Sequence, residues 1–331
     1  MKIVVLNEKD MRTVFNMKDA VQADKDALVM YSAGQTNIPL RANLNVPEYD
    51  GHSLYMYGYA APAEALGVKI VSVYPQNPAN GLPSVPATMV LVNAETGEVC
   101  CIMDGTFLTR IRTGAVSGAA TDVLARKDAK TFALFGTGGQ AETQLEAVLC
   151  VRPVKLVKVY SRNRERAEAF AGSMQTRFGA LYGVTIQAVT SAAEAVADAD
   201  IITAVTTAHE AVFDGRMIKK NAHVNGVGSY TPEMAEIDQY IVENADIVAV
   251  DTRDGAISES GDLINPIKAG ALKESDCLEL GEIISGKAVG RTSDDQLTFF
   301  ETTGSAVLDL VTAQRIYESA LAKGIGQIID L

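Results

Sequence analysis

From Thr131 onward, short apolar runs rich in β-branched residues alternate with longer segments whose apolar positions recur every three to four residues, the marks of buried strands and amphipathic helices. The first run ends at Phe135. A second strand is expected over residues 154–160, after which Asn163 caps a helix carrying Ala167, Phe170, Ala171, Met174 and Phe178 at helical spacing. A third strand is expected over 184–190. Ser191 and Glu194 have the spacing of a capping box at the head of a short helix, and 200–207 reads as the next strand. Two more strands are expected at 223–227 and 247–251, separated by a helix that Thr231 caps and Pro232 opens. Alternation of this kind makes a doubly wound parallel sheet, an α/β Rossmann unit.

The first part of the chain has a different pattern. Strand-like segments at 2–6, 53–59, 68–73, 88–92 and 99–104 are interrupted by prolines and by the Glu95-Thr96-Gly97 turn, which predicts a mixed, mostly antiparallel sheet. A small-residue helix is expected from Thr106. The tail over 305–323 is another helix, with Val307, Leu310, Val311, Ile316, Tyr317 and Leu321 as its apolar residues, long enough to cross back onto the first module. The expected division is therefore 1–125 plus 305–331 as an α+β module built from both chain ends, and 126–304 as the dinucleotide-binding unit.

The chemistry of the second unit is concentrated in Gly136, Gly138 and Ala141, spaced G-x-G-x-x-A between a strand and a helix. Gly136 permits the tight turn, Gly138 lets backbone N–H groups reach a pyrophosphate, and Ala141 lets the helix pack closely on the strand. The helix N-terminus adds partial positive charge. At the end of the second strand, where an acid would favour NAD, the chain instead reads Ser161-Arg162-Asn163-Arg164. A guanidinium there can stack on adenine and pair with a 2′-phosphate. NADP(H) is therefore favoured, with NAD(H) open.

At 331 residues, with 47% hydrophobic and 21% charged residues, the chain has enough apolar material for two domains. A net charge of -12 argues against nucleic-acid and anionic-membrane partners. The absence of a run of about 18 apolar residues, and the early charges in the N-terminal segment, point to a cytoplasmic protein. Cys100, Cys101, Cys150 and Cys277 lack C-x-x-C spacing and read as buried free thiols. His52, His209 and His223 have no metal-ligand spacing, so structural roles and no metal site are expected. Lys69, inside the apolar run 68–73, is different, because a lysine buried for packing alone is costly.

Six segments together carry a resemblance: Gly67-Val68-Lys69, Gly81-Leu82-Pro83-Ser84, Glu95-Thr96-Gly97, Arg112-Thr113-Gly114-Ala115-Val116-Ser117, Gly136-Thr137-Gly138-Gly139-Gln140-Ala141 and Asn225-Gly226-Val227-Gly228-Ser229. In order and spacing, across nearly the whole chain, they resemble the ornithine cyclodeaminase and mu-crystallin family. That resemblance implies an enzyme that binds NAD(H) or NADP(H), interconverts small amino acids with imines or keto acids, and dimerises through its N-terminal substrate domain. It implies Lys69 and Arg112 as catalytic residues, and Arg41, Lys69, Ser84, Arg112 and Gly304 as substrate-binding ones. For the cofactor it implies Ser84, Arg112, Thr113, Gly136, Thr137, Gly138, Gly139, Gln140, Ala141, Ser161, Arg162, Asn163, Arg166, Thr203, Val205, Thr206, Val227, Gly228, Ser229 and Thr303. Three cations in an acidic chain suit an α-imino carboxylate, which needs charge-assisted partners.

One departure matters. Members that deaminate ornithine carry an acid that exchanges protons where this chain has Tyr230. The expectation is therefore reduction of a preformed C=N bond in a small cyclic or linear ketimine, of the pyrroline-2-carboxylate or piperideine-2-carboxylate type. Ornithine cyclodeamination, amino-acid dehydrogenation and non-catalytic NADPH binding are the alternatives. Lys69 is the candidate to hydrogen-bond or protonate the substrate near its imine nitrogen, with an acid, a tyrosine or water equally able to serve.

Overall fold

In the computed structural model, which describes residues 1–331, the alternating segments of the first module pair as a sheet in the order Gln327–Asp330, Lys2–Leu6, Val99–Asp104, Ala87–Val92, Ala65–Val73, Gly51–Ala60, Thr36–Asn37. Ala42–Val46 also pairs with Gly51–Ala60. Neighbours run antiparallel except Lys2–Leu6 against Val99–Asp104. The period-two pattern sorts Met56, Val71 and Met89 into the core and leaves Tyr57 and Ile70 exposed on the other face. Helix Ala306–Lys323 packs on the strands Gly51–Ala60 and Ala65–Val73 and against helix Met17–Ser32. The tail thus completes the first module.

The chain divides into Met1–Arg112 with Ser305–Leu331, and Thr113–Gly304. The expected boundary at residue 125 follows the end of helix Gly105–Leu124, whereas the observed one falls within that helix.

The second unit is an eight-stranded, wholly parallel sheet in the order Thr185–Ala188, Leu156–Tyr160, Thr131–Phe135, Ile201–Ala204, His223–Gly226, Thr298–Glu301, Ile247–Val250, Cys277–Glu279. Buried side chains cover both faces, Phe132 and Leu134 toward one helical layer and Ala133 and Phe135 toward the other. The order reverses between Thr131–Phe135 and Ile201–Ala204, the switch point at which open α/β sheets bind ligands. Asn163 caps helix Arg164–Tyr182 by accepting the Arg166 N–H at 2.9 Å.

The expected helix after Thr231 does not form. Thr231 accepts the Met234 N–H at 3.0 Å in a tight turn, and the N–H groups of Glu236 and Ile237 are taken by Asp262, which draws the segment out of a helical path. The helix begins only at Gln239, capped by Asp238. The capping box is also altered, since Ser191 accepts the Glu194 N–H but Glu194 reaches back to Thr190. Of the thiols, Cys101 and Cys277 are buried and Cys100 and Cys150 half-buried, and none is in a disulfide. No helix is long and apolar enough to cross a membrane.

Candidate active site

In the first unit, two cations share one carboxylate. Lys69 sits between Met56 and Met89 on the neighbouring strands, on the face that the helix Ala306–Lys323 covers, and is 0% exposed. Its Nζ donates to Asp309 Oδ2 at 2.6 Å. Arg112, on helix Gly105–Leu124, donates its Nε to Asp309 Oδ1 at 2.9 Å. Asp309 is itself fully buried. Both its oxygens are thus committed, and a carboxylate in low dielectric held this way fixes two long side chains at once.

The cluster is not neutral. Asp24, buried beside it on helix Met17–Ser32, accepts the Thr312 hydroxyl at 3.1 Å through Oδ1, while Oδ2 has no partner. Burial, which favours the neutral acid, pushes its carboxyl well above the usual range despite the Arg112 charge. Burial also pushes the Lys69 amine down to about 7; Asp309 works to keep the proton on, and the charges of Arg112 and Arg41 work to remove it. With Lys69 protonated and Asp24 neutral, one positive charge remains over. Arg112 Nη1 is buried without a hydrogen-bond partner, a donor that costs about 1–3 kcal/mol unless something accepts from it. One carboxylate would satisfy both the charge and the donor.

Arg41 is half-buried in the segment before Ala42–Val46, close enough for its charge to bear on Lys69. Ser84 is exposed on the connection between Ala65–Val73 and Ala87–Val92, its carbonyl accepting the Tyr74 N–H at 2.9 Å.

The second unit carries the glycine turn. Gly136 has φ +102°, and a Cβ there would lie 2.5 Å from the Val205 carbonyl oxygen, so the turn abuts the strand end across the switch point. Gly138 and Gly139 have open space where a Cβ would be. Ala141 is fully buried, and no side chain caps the N-terminus of helix Ala141–Val151, whose preceding residue is Gln140. Those features fit a dinucleotide pyrophosphate: open backbone at the loop and an uncapped helix end. Thr137 is half-buried in the same loop.

At the end of the second strand, Ser161 is half-buried while Arg162 and Arg166 are exposed. Arg164 pairs with Glu168 at 2.7 Å. Val205 and Thr206 leave Ile201–Ala204, and Val227, Gly228, Ser229 and the half-buried Tyr230 leave His223–Gly226. The Gly304 N–H donates to Asp251 at 2.9 Å, and Thr303 beside it is buried. Thr113 gives its carbonyl to Gln144 at 2.8 Å. Thr203 lies deeper, its hydroxyl accepting from Asn225 at 3.1 Å in a buried network with Thr121. Ser229 donates to the Met234 carbonyl at 2.7 Å.

Sequence reading missed Asp309 and Asp24. Asp309 stands in Val307-Leu308-Asp309-Leu310-Val311, the same intrusion of a charge into an apolar run that marked Lys69. Asp24 lies on an ordinary amphipathic helix and left no such trace.

A model of the ornithine cyclodeaminase/mu-crystallin family matches residues 1–324. The chain is 39% identical over 329 residues to a Delta(1)-pyrroline-2-carboxylate reductase of Bacillus cereus, covering 99% of this chain and 100% of that protein. The solved Thermococcus litoralis Delta(1)-pyrroline-2-carboxylate reductase, in complex with NADH and L-proline, superposes with a TM-score of 0.93 at 39% identity over 98% of this chain and 99% of that one. An archaeal alanine dehydrogenase dimer with bound NAD gives a TM-score of 0.90 at 31% identity over 100% of each chain.

Proposed function

Because the chain belongs to the ornithine cyclodeaminase/mu-crystallin family, we propose that it is a nicotinamide-dinucleotide-dependent oxidoreductase that reduces the C=N bond of a small ketimine carboxylate to the amino acid, with pyrroline-2-carboxylate and piperideine-2-carboxylate as first substrates. One observation carries this reading within the chain: the buried, singly positive cluster of Lys69, Arg112 and Asp309 with a free Arg112 donor. Arg112 holds the substrate carboxylate through charge-assisted hydrogen bonds, and Arg41 adds charge at the rim. Lys69 gives a proton to the imine nitrogen as that nitrogen becomes an amine; with its pKa near 7, the amine transfers this proton readily in neutral solution. Asp309 keeps the amine aimed. When bound, the dinucleotide supplies the hydride to the imine carbon. Oxidation of NADPH or NADH by pyrroline-2-carboxylate, with proline as product, tests the assignment; no turnover across cyclic and linear ketimines by protein that binds the cofactor would refute it.

NADP(H) is the proposed form, since Arg162 is exposed at the second strand end and its neighbour Arg164 is already paired. NAD(H) is the second reading, favoured by the NADH in the Thermococcus relative. Arg162→Ala is expected to weaken NADPH binding by about tenfold and NADH binding by less than about twofold; equal effects on both would assign NAD(H). Gly138→Asp tests the loop. A Cβ there meets nothing, so the melting temperature should hold while a carboxylate facing the phosphates weakens dinucleotide binding by about tenfold or more. A homodimer is proposed from the exposed Tyr57 and Ile70 on the uncovered sheet face and from the dimeric alanine dehydrogenase relative.

A further inference from the structure

Five buried carboxyl groups, Asp200, Glu236, Asp251, Asp262 and Glu301, lie within the second unit and outside the cationic cluster. Glu236 is the most heavily used. Its Oε1 accepts the N–H groups of Val227 at 3.1 Å and Gly228 at 2.5 Å, and its Oε2 accepts the N–H and the hydroxyl of Thr206, both at 2.7 Å. Burial raises this carboxyl, and the four donors converging on its two oxygens work against that and favour the anion. A buried anion without a cationic partner is costly. What it secures is the contact between two loops, one leaving Ile201–Ala204 and the other leaving His223–Gly226.

Those loops meet closely. A Cβ on Gly228 would lie 2.0 Å from the Thr206 carbonyl oxygen, and Val205, next to Thr206, is the residue against which the Gly136 turn rests. The Val227 N–H is shared between Glu236 and the Ala204 carbonyl, each at 3.1 Å, whereas the N–H groups of Thr206 and Gly228 find their acceptor in Glu236. Behind Glu236, Asp262 Oδ1 accepts the N–H groups of Glu236 and Ile237, both at 2.9 Å, and so fixes the segment that carries the clamp. Asp262 Oδ2 and Glu301 Oε2 have no hydrogen-bond partners. Burial, reinforced by their proximity to each other and to Glu236, raises both carboxyls, Asp262 to about 7. Raised in this way, the pair places less negative charge beside Glu236.

We propose that Glu236 is a positioning residue for the dinucleotide: its carboxylate clamps the Thr206 loop to the Val227–Gly228 loop and so fixes the surface on which the nicotinamide half rests, without touching it. The proposal rests on the dinucleotide reading above. Glu236→Gln keeps the shape but turns an amide toward donors. In the variant, the NADH dissociation constant, read by fluorescence titration without substrate, is expected to rise by about tenfold or more. Amide exchange in the cofactor-free protein should accelerate at Thr206 and Gly228, with Phe132–Leu134 still protected. A role confined to stability would lower the melting temperature and leave the dissociation constant within about twofold, and that result overturns the proposal. Should Glu236→Gln fail to fold, Glu236→Asp, which keeps the charge but withdraws it by a methylene, carries the same two readouts. Wild-type protein that binds neither NADH nor NADPH would overturn the dinucleotide reading and the proposal with it, whereas normal wild-type binding with unaltered variant binding overturns the proposal alone.

Discussion

Lys69→Met is expected to lower kcat/KM for ketimine reduction by about 10²- to 10⁴-fold, the usual worth of a positioned proton donor, while the chain remains folded. Methionine fits the site. The side chain already lies between Met56 and Met89, and the substitution removes a buried ammonium rather than a packing group. The pH profile separates loss of a proton donor from loss of shape. Because the proton must be on Lys69 for transfer, wild-type kcat/KM should fall as pH rises through about 7, and that limb should be missing from the variant. Stability gives an independent check on the same group. The folded value of about 7 lies below the ordinary 10.5, so between those values the unfolded chain binds the extra proton and wild-type stability rises with pH. The methionine variant should lack that slope.

The second large effect is expected from Asp309→Asn. The aspartate is the single anionic partner of Lys69 and Arg112, and removing one side of a buried ion pair costs about 3–5 kcal/mol because the remaining charge is left uncompensated. At about 1.4 kcal/mol per tenfold, a comparable loss of transition-state stabilisation lowers kcat/KM by about 10²- to 10⁴-fold. Direction is the sharper test. Asp309 opposes the downward pull of burial on Lys69, so its neutralisation must move the limb near 7 to lower pH. A variant with reduced activity and an unmoved limb would mean that Asp309 braces the helix Ala306–Lys323 without setting the amine.

The sheets and the glycine turn were legible because each leaves a local signature. Lys2–Leu6 and Val99–Asp104 could be bounded as short apolar runs ended by polar residues or turns, and Gly136 from its place between an apolar run and a helix. Strand order was not legible. Thr298–Glu301 inserts between His223–Gly226 and Ile247–Val250, a pairing set by packing across long sequence separation. The Thr231 helix failed for a related reason: a cap and a proline permit a helix, but the Asp262 carboxylate, distant in sequence, withdrew the backbone donors that it needed. Lys69 stood out because a cation in an apolar strand has few explanations. Its partner Asp309 carried the same mark and was passed over because the helical period absorbed it.

The central claim is that a hydride from the dinucleotide and a proton from Lys69 are delivered to a C=N bond whose carboxylate is held by Arg112. Reduction of pyrroline-2-carboxylate with reduced nicotinamide dinucleotide carrying deuterium at both C4 positions tests it most directly. Proline carrying one deuterium at Cα is the expected product, formed without ammonia and lost in Lys69→Met. Deuterium-free proline, or ammonia released from ornithine with no net oxidation of cofactor, would contradict it.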